Sequence, residues 1–159
     1  ELDDNLRVCP RCAHHYSLRG LEYFELLFDN SEFERHDDGL RSNDPLGFVD
    51  RKPYTARIAE AERKSGVNDA AVSATGTLGG HRLSAAAMDF AFIGGSMGSV
   101  VGEKIARLGR FALEEKRPFI IVSASGGARM LRRCGSCLGP GRRSGGRAGR
   151  RCWRSFAVR

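Results

Sequence analysis

Between Val72 and Met130 the chain runs through an alternating hairpin, a glycine loop, an amphipathic helix, a short apolar strand and a second glycine loop. That order constrains the fold more than any other feature of the sequence. Val72, Ala74, Gly76 and Leu78 alternate with Ser73, Thr75 and Thr77, the period of a pleated strand. Gly79-Gly80 turns the chain into a second run, Arg82 to Met88, which predicts a β-hairpin. After Phe90-Ala91-Phe92-Ile93 come Gly94-Gly95-Ser96-Met97-Gly98-Ser99 and a helix with Val101, Ile105, Leu108 and Ala112 on its apolar face. Pro118 opens a buried strand, Phe119-Ile120-Ile121-Val122, which ends in Ser123-Ala124-Ser125-Gly126-Gly127-Ala128-Arg129-Met130. The pattern is α/β, with its two glycine loops at element ends, where such proteins carry function.

Upstream, Ser17 is placed to cap a helix carrying Leu18, Leu21, Tyr23, Phe24, Leu26, Leu27 and Phe28 and ending near Asp29 and Asn30. A loop through about Pro45 follows, then a second helix from Pro53 to Lys64 with Gly66 as its stop. The sequence divides into residues 1–16, a cysteine turn; residues 17–130, a mixed helix and strand region; and residues 131–159, rich in Arg, Gly, Ser and Cys without hydrophobic period. That last segment holds nine Arg and no acid, leaving 17 basic against 19 acidic residues before it. The net charge of +7 therefore belongs to the last segment, and residues 1–130 do not read as a nucleic-acid binder. Hydrophobic content of 41% excludes wholesale disorder. No apolar run approaches the about 18 residues of a membrane span, since Asp89 interrupts Leu83 to Ile93. Nothing at the start resembles a signal peptide, so a soluble intracellular protein is expected. Glu1 in place of Met predicts a start partway into a longer product.

Cys9-Pro10-Arg11-Cys12 has the two-residue separation of a zinc knuckle, in which one tight turn presents two thiolates to a tetrahedral metal. A redox pair or a chance spacing fits the same residues. Cys134 and Cys137 form a second pair too distant for ribbon spacing, and Cys152 leaves an odd count. His14 and His15 read as surface residues or as neighbours of a metal rather than ligands. Small residues in Gly94-Gly95-Ser96-Met97-Gly98 let backbone N–H groups approach an anion or a carbonyl at a helix start, although a structural turn explains them too. Walker and Rossmann spacings are both missing. At Ser125-Gly126-Gly127-Ala128-Arg129, amides at a strand corner could form an oxyanion hole for a thioester enolate; a glycine turn is again the alternative. No Ser-His-Asp set or paired carboxylates are legible.

Taken together, these residues resemble the β subunit of the carboxyltransferase of bacterial and plastid acetyl-CoA carboxylase. The stretch from Phe92 through Gly94-Gly95-Ser96-Met97-Gly98 to Lys104 carries the resemblance, as does Ser123 to Met130. Asp44-Pro45-Leu46 with Phe48, Asp50 and Lys52-Pro53-Tyr54, then Asp69-Ala70, and Cys9-Pro10-Arg11-Cys12 with His14-His15 follow the family's order, so the likeness covers about residues 1–130. It implies a zinc ribbon followed by a crotonase-like spiral of ββα units. It also implies an α subunit in an α2β2 heterotetramer, and transfer of a carboxyl group from carboxybiotin on the carrier protein to acetyl-CoA. The product is malonyl-CoA for fatty-acid synthesis, with ATP used by the partner biotin carboxylase, in the bacterial cytosol or a plastid stroma. By the same resemblance Cys9 and Cys12 go to zinc. Gly126 and Gly127 go to the oxyanion and acyl-CoA pocket, and Gly94, Gly95, Ser96, Met97, Gly98, Ser125, Ala128 and Arg129 to substrate binding.

Two departures qualify these expectations. Cys9 and Cys12 match the second of the family's two knuckles, and the chain begins after the first, so only half a zinc site and poor zinc affinity are expected. After Met130 the family continues with a Gln-Glu helix and a further glycine pair. Here the Arg-rich segment follows, expected to be disordered and read as a GC-rich gene translated out of frame. An isolated chain of this kind is expected to be inactive and marginally folded. The rival reading from another class is a small zinc-knuckle nucleic-acid binder that uses its Arg-rich segment.

Overall fold

The computed structural model describes residues 2, 5–44, 47, 49 and 51–129. Its centre is the expected hairpin, β2 (Ala71–Leu78) and β3 (His81–Met88), paired from Ala71↔Met88 to Leu78↔His81. Gly79 and Gly80 both take positive φ, as a tight primed turn requires. The Asp29 carboxylate accepts both of their amides at 2.9 Å, and those two bonds hold its pKa below the ordinary carboxylate value.

A short strand, β1 (Phe33–His36), pairs antiparallel to β2, and β4 (Phe119–Val122) pairs parallel to β3, giving the order β1-β2-β3-β4. The sequence reading placed a loop over residues 33–36. Four residues with alternating side chains and two charges carry too little pattern to announce a strand, and pairing with β2 supplies what propensity lacks.

Both faces of the hairpin are covered. Helix α1 (Gly20–Leu27) packs Phe24 over one face, where Phe24, Phe28 and Phe33 rings meet at centroid distances of 5.5–5.9 Å. Helix α3 (Ser99–Glu114) lies on the other, with Phe111 against His36 at 5.3 Å. The alternation along β2 therefore separates an apolar face under α1 from a Ser73 and Thr75 face under α3, and Ala71 to Thr75 are all buried. Helix α2 (Tyr54–Ser65) starts after Pro53 and ends at Gly66, whose φ of 71° is left-handed; Tyr54, Ile58 and Ala61 form its buried stripe.

Two expectations are corrected. Helix α1 begins at Gly20 rather than after Ser17. The Arg19 amide donates to Glu22 Oε2 at 2.6 Å and the Gly20 amide to Asp89 Oδ2 at 3.3 Å, so a distant carboxylate fixes the helix start. Strand β4 is not buried: Ile120 is 37% and Ile121 42% exposed, because β4 is the last strand of the described sheet. No helix among the described residues is long and apolar enough to cross a membrane.

Candidate functional site

The two glycine loops meet. Following Phe92, a short 3-10 turn (Ile93–Gly95) leads into Ser96, Met97 and Gly98, the residue that precedes α3. Following β4, the chain from Ser125 to Arg129 runs alongside it as a single parallel bridge between Met97 and Ala128. Three backbone bonds fasten the crossing. Gly126 N–H donates to Gly94 O, Met97 N–H to Gly127 O, and Arg129 N–H to Met97 O, each at 2.9 Å. A Cβ on Gly95 would lie 2.1 Å from the Ala124 carbonyl oxygen, so only glycine allows this approach. Ile93 enters the turn at φ 46°, a costly conformation for a β-branched residue that the crossing holds in place.

Arg129 locks the junction from beneath. Its Nη2 donates to Asp69 Oδ1 at 2.6 Å and to Ser96 O at 2.9 Å, and its Nε to Ser96 Oγ at 3.0 Å. Its Nη1 reaches Ser42 Oγ and Tyr54 OH at 3.1 Å and Asp69 Oδ2 at 3.3 Å. The guanidinium also lies 5.3 Å from the centre of the Phe92 ring, and both side chains of the Arg129–Asp69 pair are essentially buried. Burial opposes the charge on Arg129, but the Asp69 carboxylate outweighs it and the pKa is raised. Gly98 gives way to this group, since a Cβ there would lie 2.9 Å from Nη1.

The sequence reading sent Arg129 to substrate. In the structure its donors point inward to four protein segments, those of Ser42, Tyr54, Asp69 and Ser96, and it fixes the loops that could meet a substrate. The amides of Gly126 and Gly127 are engaged as well, the latter with Ser125 Oγ at 3.0 Å. Since Gly127 O and Arg129 N–H make the bridge to Met97, the N–H of Ala128, an exposed residue, points away from Met97.

Asp69, Ser42, Tyr54 and Phe92 were missed as partners. Asp69 and Tyr54 lie in stretches that carried the resemblance, yet no local pattern pairs either with residue 129. Lys104 was missed too. It lies three residues after Val101 on the buried stripe of α3, a charged residue at an apolar position, and that mismatch was a legible signal.

At the other end of the chain, Cys9 and Cys12 sit on a small hairpin tip. Cys9 N–H donates to His14 O at 2.8 Å, Ala13 N–H to Cys9 O at 2.9 Å, and Val8 bridges His15. Both thiols are free, and the backbone amide of Cys12, then that of Arg11, hold the Cys9 pKa below its ordinary value. Amides turned toward a sulfur suit a thiolate ligand. Two thiolates are half a tetrahedral site, however, and among the described residues no group of three or more His, Cys, Asp or Glu could hold a metal ion. The His14 ring packs edge-on against Tyr16 at 4.9 Å. Cys134, Cys137 and Cys152 lie outside the described residues.

Comparison with known proteins adds the family. The chain matches the carboxyl transferase domain over residues 44–149, a stretch that runs past residue 130 into the Arg-rich segment. It is 50% identical over 131 residues to the acetyl-coenzyme A carboxylase carboxyl transferase subunit beta of Salinibacter ruber, covering 82% of this chain and 46% of that relative. The chain thus spans about half the length of the curated relatives it matches. Among solved structures it superposes on a transcarboxylase 12S hexamer with TM-score 0.57 at 24% identity, over 72% of this chain and 20% of that one. A Pseudomonas malonate decarboxylase hetero-tetramer gives TM-score 0.52 at 27% identity, over 72% and 40%. The fold is the crotonase-like one of these enzymes, with β2, β3 and α3 as one ββα unit and β4 as the next strand. By sequence and by fold, the chain belongs to the carboxyl transferase domain family.

Proposed function

We propose that this chain takes the β-subunit part in the carboxyltransferase reaction of acetyl-CoA carboxylase, passing a carboxyl group from carboxybiotin on the carrier protein to acetyl-CoA to give malonyl-CoA. The observation that carries the reading is the 50% identity over 131 residues to a subunit of that name. The same match favours it over a zinc-knuckle nucleic-acid binder.

The crossing supports the chemistry. Capture of CO2 by an acetyl enolate places negative charge on a thioester oxygen, and fixed backbone dipoles stabilise such charge without reorganising. Gly94, Gly95, Ser96, Met97, Gly98 and Ser125 shape the wall of the acyl-CoA and biotin pocket. Gly126 and Gly127 hold the corner that turns the Ala128 amide outward, and Ala128 offers the donor. Arg129 acts through this backbone rather than on substrate. No side-chain nucleophile is required, in keeping with a site built from amides.

The partners in this reading are an α subunit in an α2β2 assembly, the biotin carboxyl carrier protein, and the biotin carboxylase that spends ATP. Cys9 and Cys12 would hold one half of a structural zinc site. The setting is the bacterial cytosol or a plastid stroma. Residues 1–16, 17–130 and 131–159 then serve as partial ribbon, first part of the catalytic domain and Arg-rich extension.

Co-expression with a bacterial carboxyltransferase α subunit tests the proposal. The two chains should co-purify through gel filtration, while the isolated chain should make no malonyl-CoA. If the chain fails to hold an α subunit and instead retains nucleic acid after residues 131–159 are deleted, the reading is wrong.

A further inference from the structure

Lys104 is 1% exposed, and its Nζ donates to the Ala71 carbonyl at 3.0 Å. The location of that carbonyl explains the contact. Asp89 N–H takes the Ala70 carbonyl on the β3 side of β2, so the Ala71 carbonyl points to the opposite side, toward β1. The β1 ladder ends at His36↔Ser73, two residues short of Ala71. Lys104 therefore reaches in from α3 and occupies the place of a missing strand N–H.

The charges around it are already matched. Asp37, Asp38 and Asp69 face Lys104 along with Arg35. Asp38 pairs with Arg35 at 2.8 Å, Asp37 with Arg107 at 3.2 Å, and Asp69 with Arg129 at 2.6 Å. Each nearby carboxylate thus has its own arginine, and Lys104 brings a further buried cation. Burial pushes its pKa down, against the pull of the three carboxylates. What Lys104 contributes against this desolvation is geometric: its bond ties α3 to the start of β2, beyond the end of the β1 ladder.

That role follows from what its two ends join. Lys104 stands on α3, the helix entered through Gly98, which packs against the Arg129 guanidinium. Its acceptor Ala71 begins β2, two residues after Asp69, the anchor of that same guanidinium. We propose that Lys104 is a positioning residue that sets α3 against β2 and so fixes the distance between Gly98 and Asp69, into which Arg129 and the glycine-loop crossing fit. Its bearing on acyl-CoA contact rests on the proposed function; its effect on the crossing does not.

Amide hydrogen exchange on the full chain tests this, comparing wild type with Lys104→Met and Lys104→Arg. In Lys104→Met, exchange at the Gly126 and Arg129 amides should rise about tenfold or more, as expected for loss of one charged hydrogen bond. The β2–β3 hairpin amides should stay near wild type, and Lys104→Arg, which keeps a buried cationic donor, should restore protection at the crossing. A uniform rise across hairpin and crossing would overturn the inference, as would unchanged exchange at Gly126 and Arg129. So would a Lys104→Met chain that fails to fold while Lys104→Arg folds, since Lys104 would then support the core as a whole. Titration with acetyl-CoA in complex with an α subunit separates the two readings. If wild type shows no binding, the carboxyltransferase proposal fails while the exchange result still decides the role of Lys104.

Discussion

Gly94 and Gly95 offer a matched pair of perturbations, because both take φ 63° and only one is crowded. An alanine at either position carries the left-handed penalty of about 1–2 kcal/mol. At Gly94 nothing lies within 4 Å of the new Cβ, so that penalty is the whole effect. At Gly95 the Cβ would meet Ala124 O at 2.1 Å, Ala124 C at 3.1 Å and Ser125 Cα at 3.2 Å. All three are backbone atoms, so no rotamer change relieves the overlap and the two loops must separate. Overpacking of this kind costs about 1–3 kcal/mol further. Subtracting one variant from the other cancels the backbone term and leaves the contact alone. Urea unfolding should therefore give Gly95→Ala a lower midpoint than Gly94→Ala by that difference, at unchanged m-value. Equal losses in the two variants would refute the close crossing and, with it, the reason glycine stands at 95.

Three further outcomes are expected. Asp69→Asn removes the acid from a buried pair and leaves Arg129 without its counter-charge, a change that costs about 3–5 kcal/mol; thermal unfolding should show it, with Arg129→Lys milder than Arg129→Met. Asp29 has a folded pKa below its unfolded one, so its contribution is present above the ordinary carboxylate range and disappears as pH falls through the lowered value. Stability measured against pH should lose that acid-side slope in Asp29→Asn. With only two thiolates on the cysteine hairpin, a chelator should leave the melting temperature of the isolated chain unchanged; a drop of several degrees would show that a full metal site forms.

Periodicity revealed the elements with strong local chemistry. The hairpin, the start of α2 at Pro53 with its stop at Gly66, and the apolar stripe of α3 all follow from residues within a few positions of one another. What escaped depends on distant partners. The start of α1 is set by Asp89, nearly seventy residues away, and β1 exists because β2 offers it an edge. The exposure of Ile120 and Ile121 reflects what lies beside β4, which an apolar run does not encode. At the site the two glycine loops were legible as special backbone. Their meeting was not, because Gly126→Gly94 and Arg129→Asp69 are contacts between segments that share no local pattern. Arg129 shows the limit most clearly: a charged residue beside a glycine corner reads as a ligand contact, and only the fold shows it facing inward.

The guanidinium of Arg129 also imposes an order of events. It is bonded to residues 33, 60, 75 and 87 positions earlier in the chain. Closing such long loops costs entropy that no local contact offsets, so the junction cannot nucleate folding and must close after the hairpin and helices have formed. On a ribosome, where residues emerge one after another, Asp69 is made long before its partner. Until residue 129 arrives, the segments carrying Ser42, Tyr54 and Asp69 lack the guanidinium that bonds all three. The site is the last part of this region to acquire its shape, and mutations there should speed unfolding far more than they slow folding.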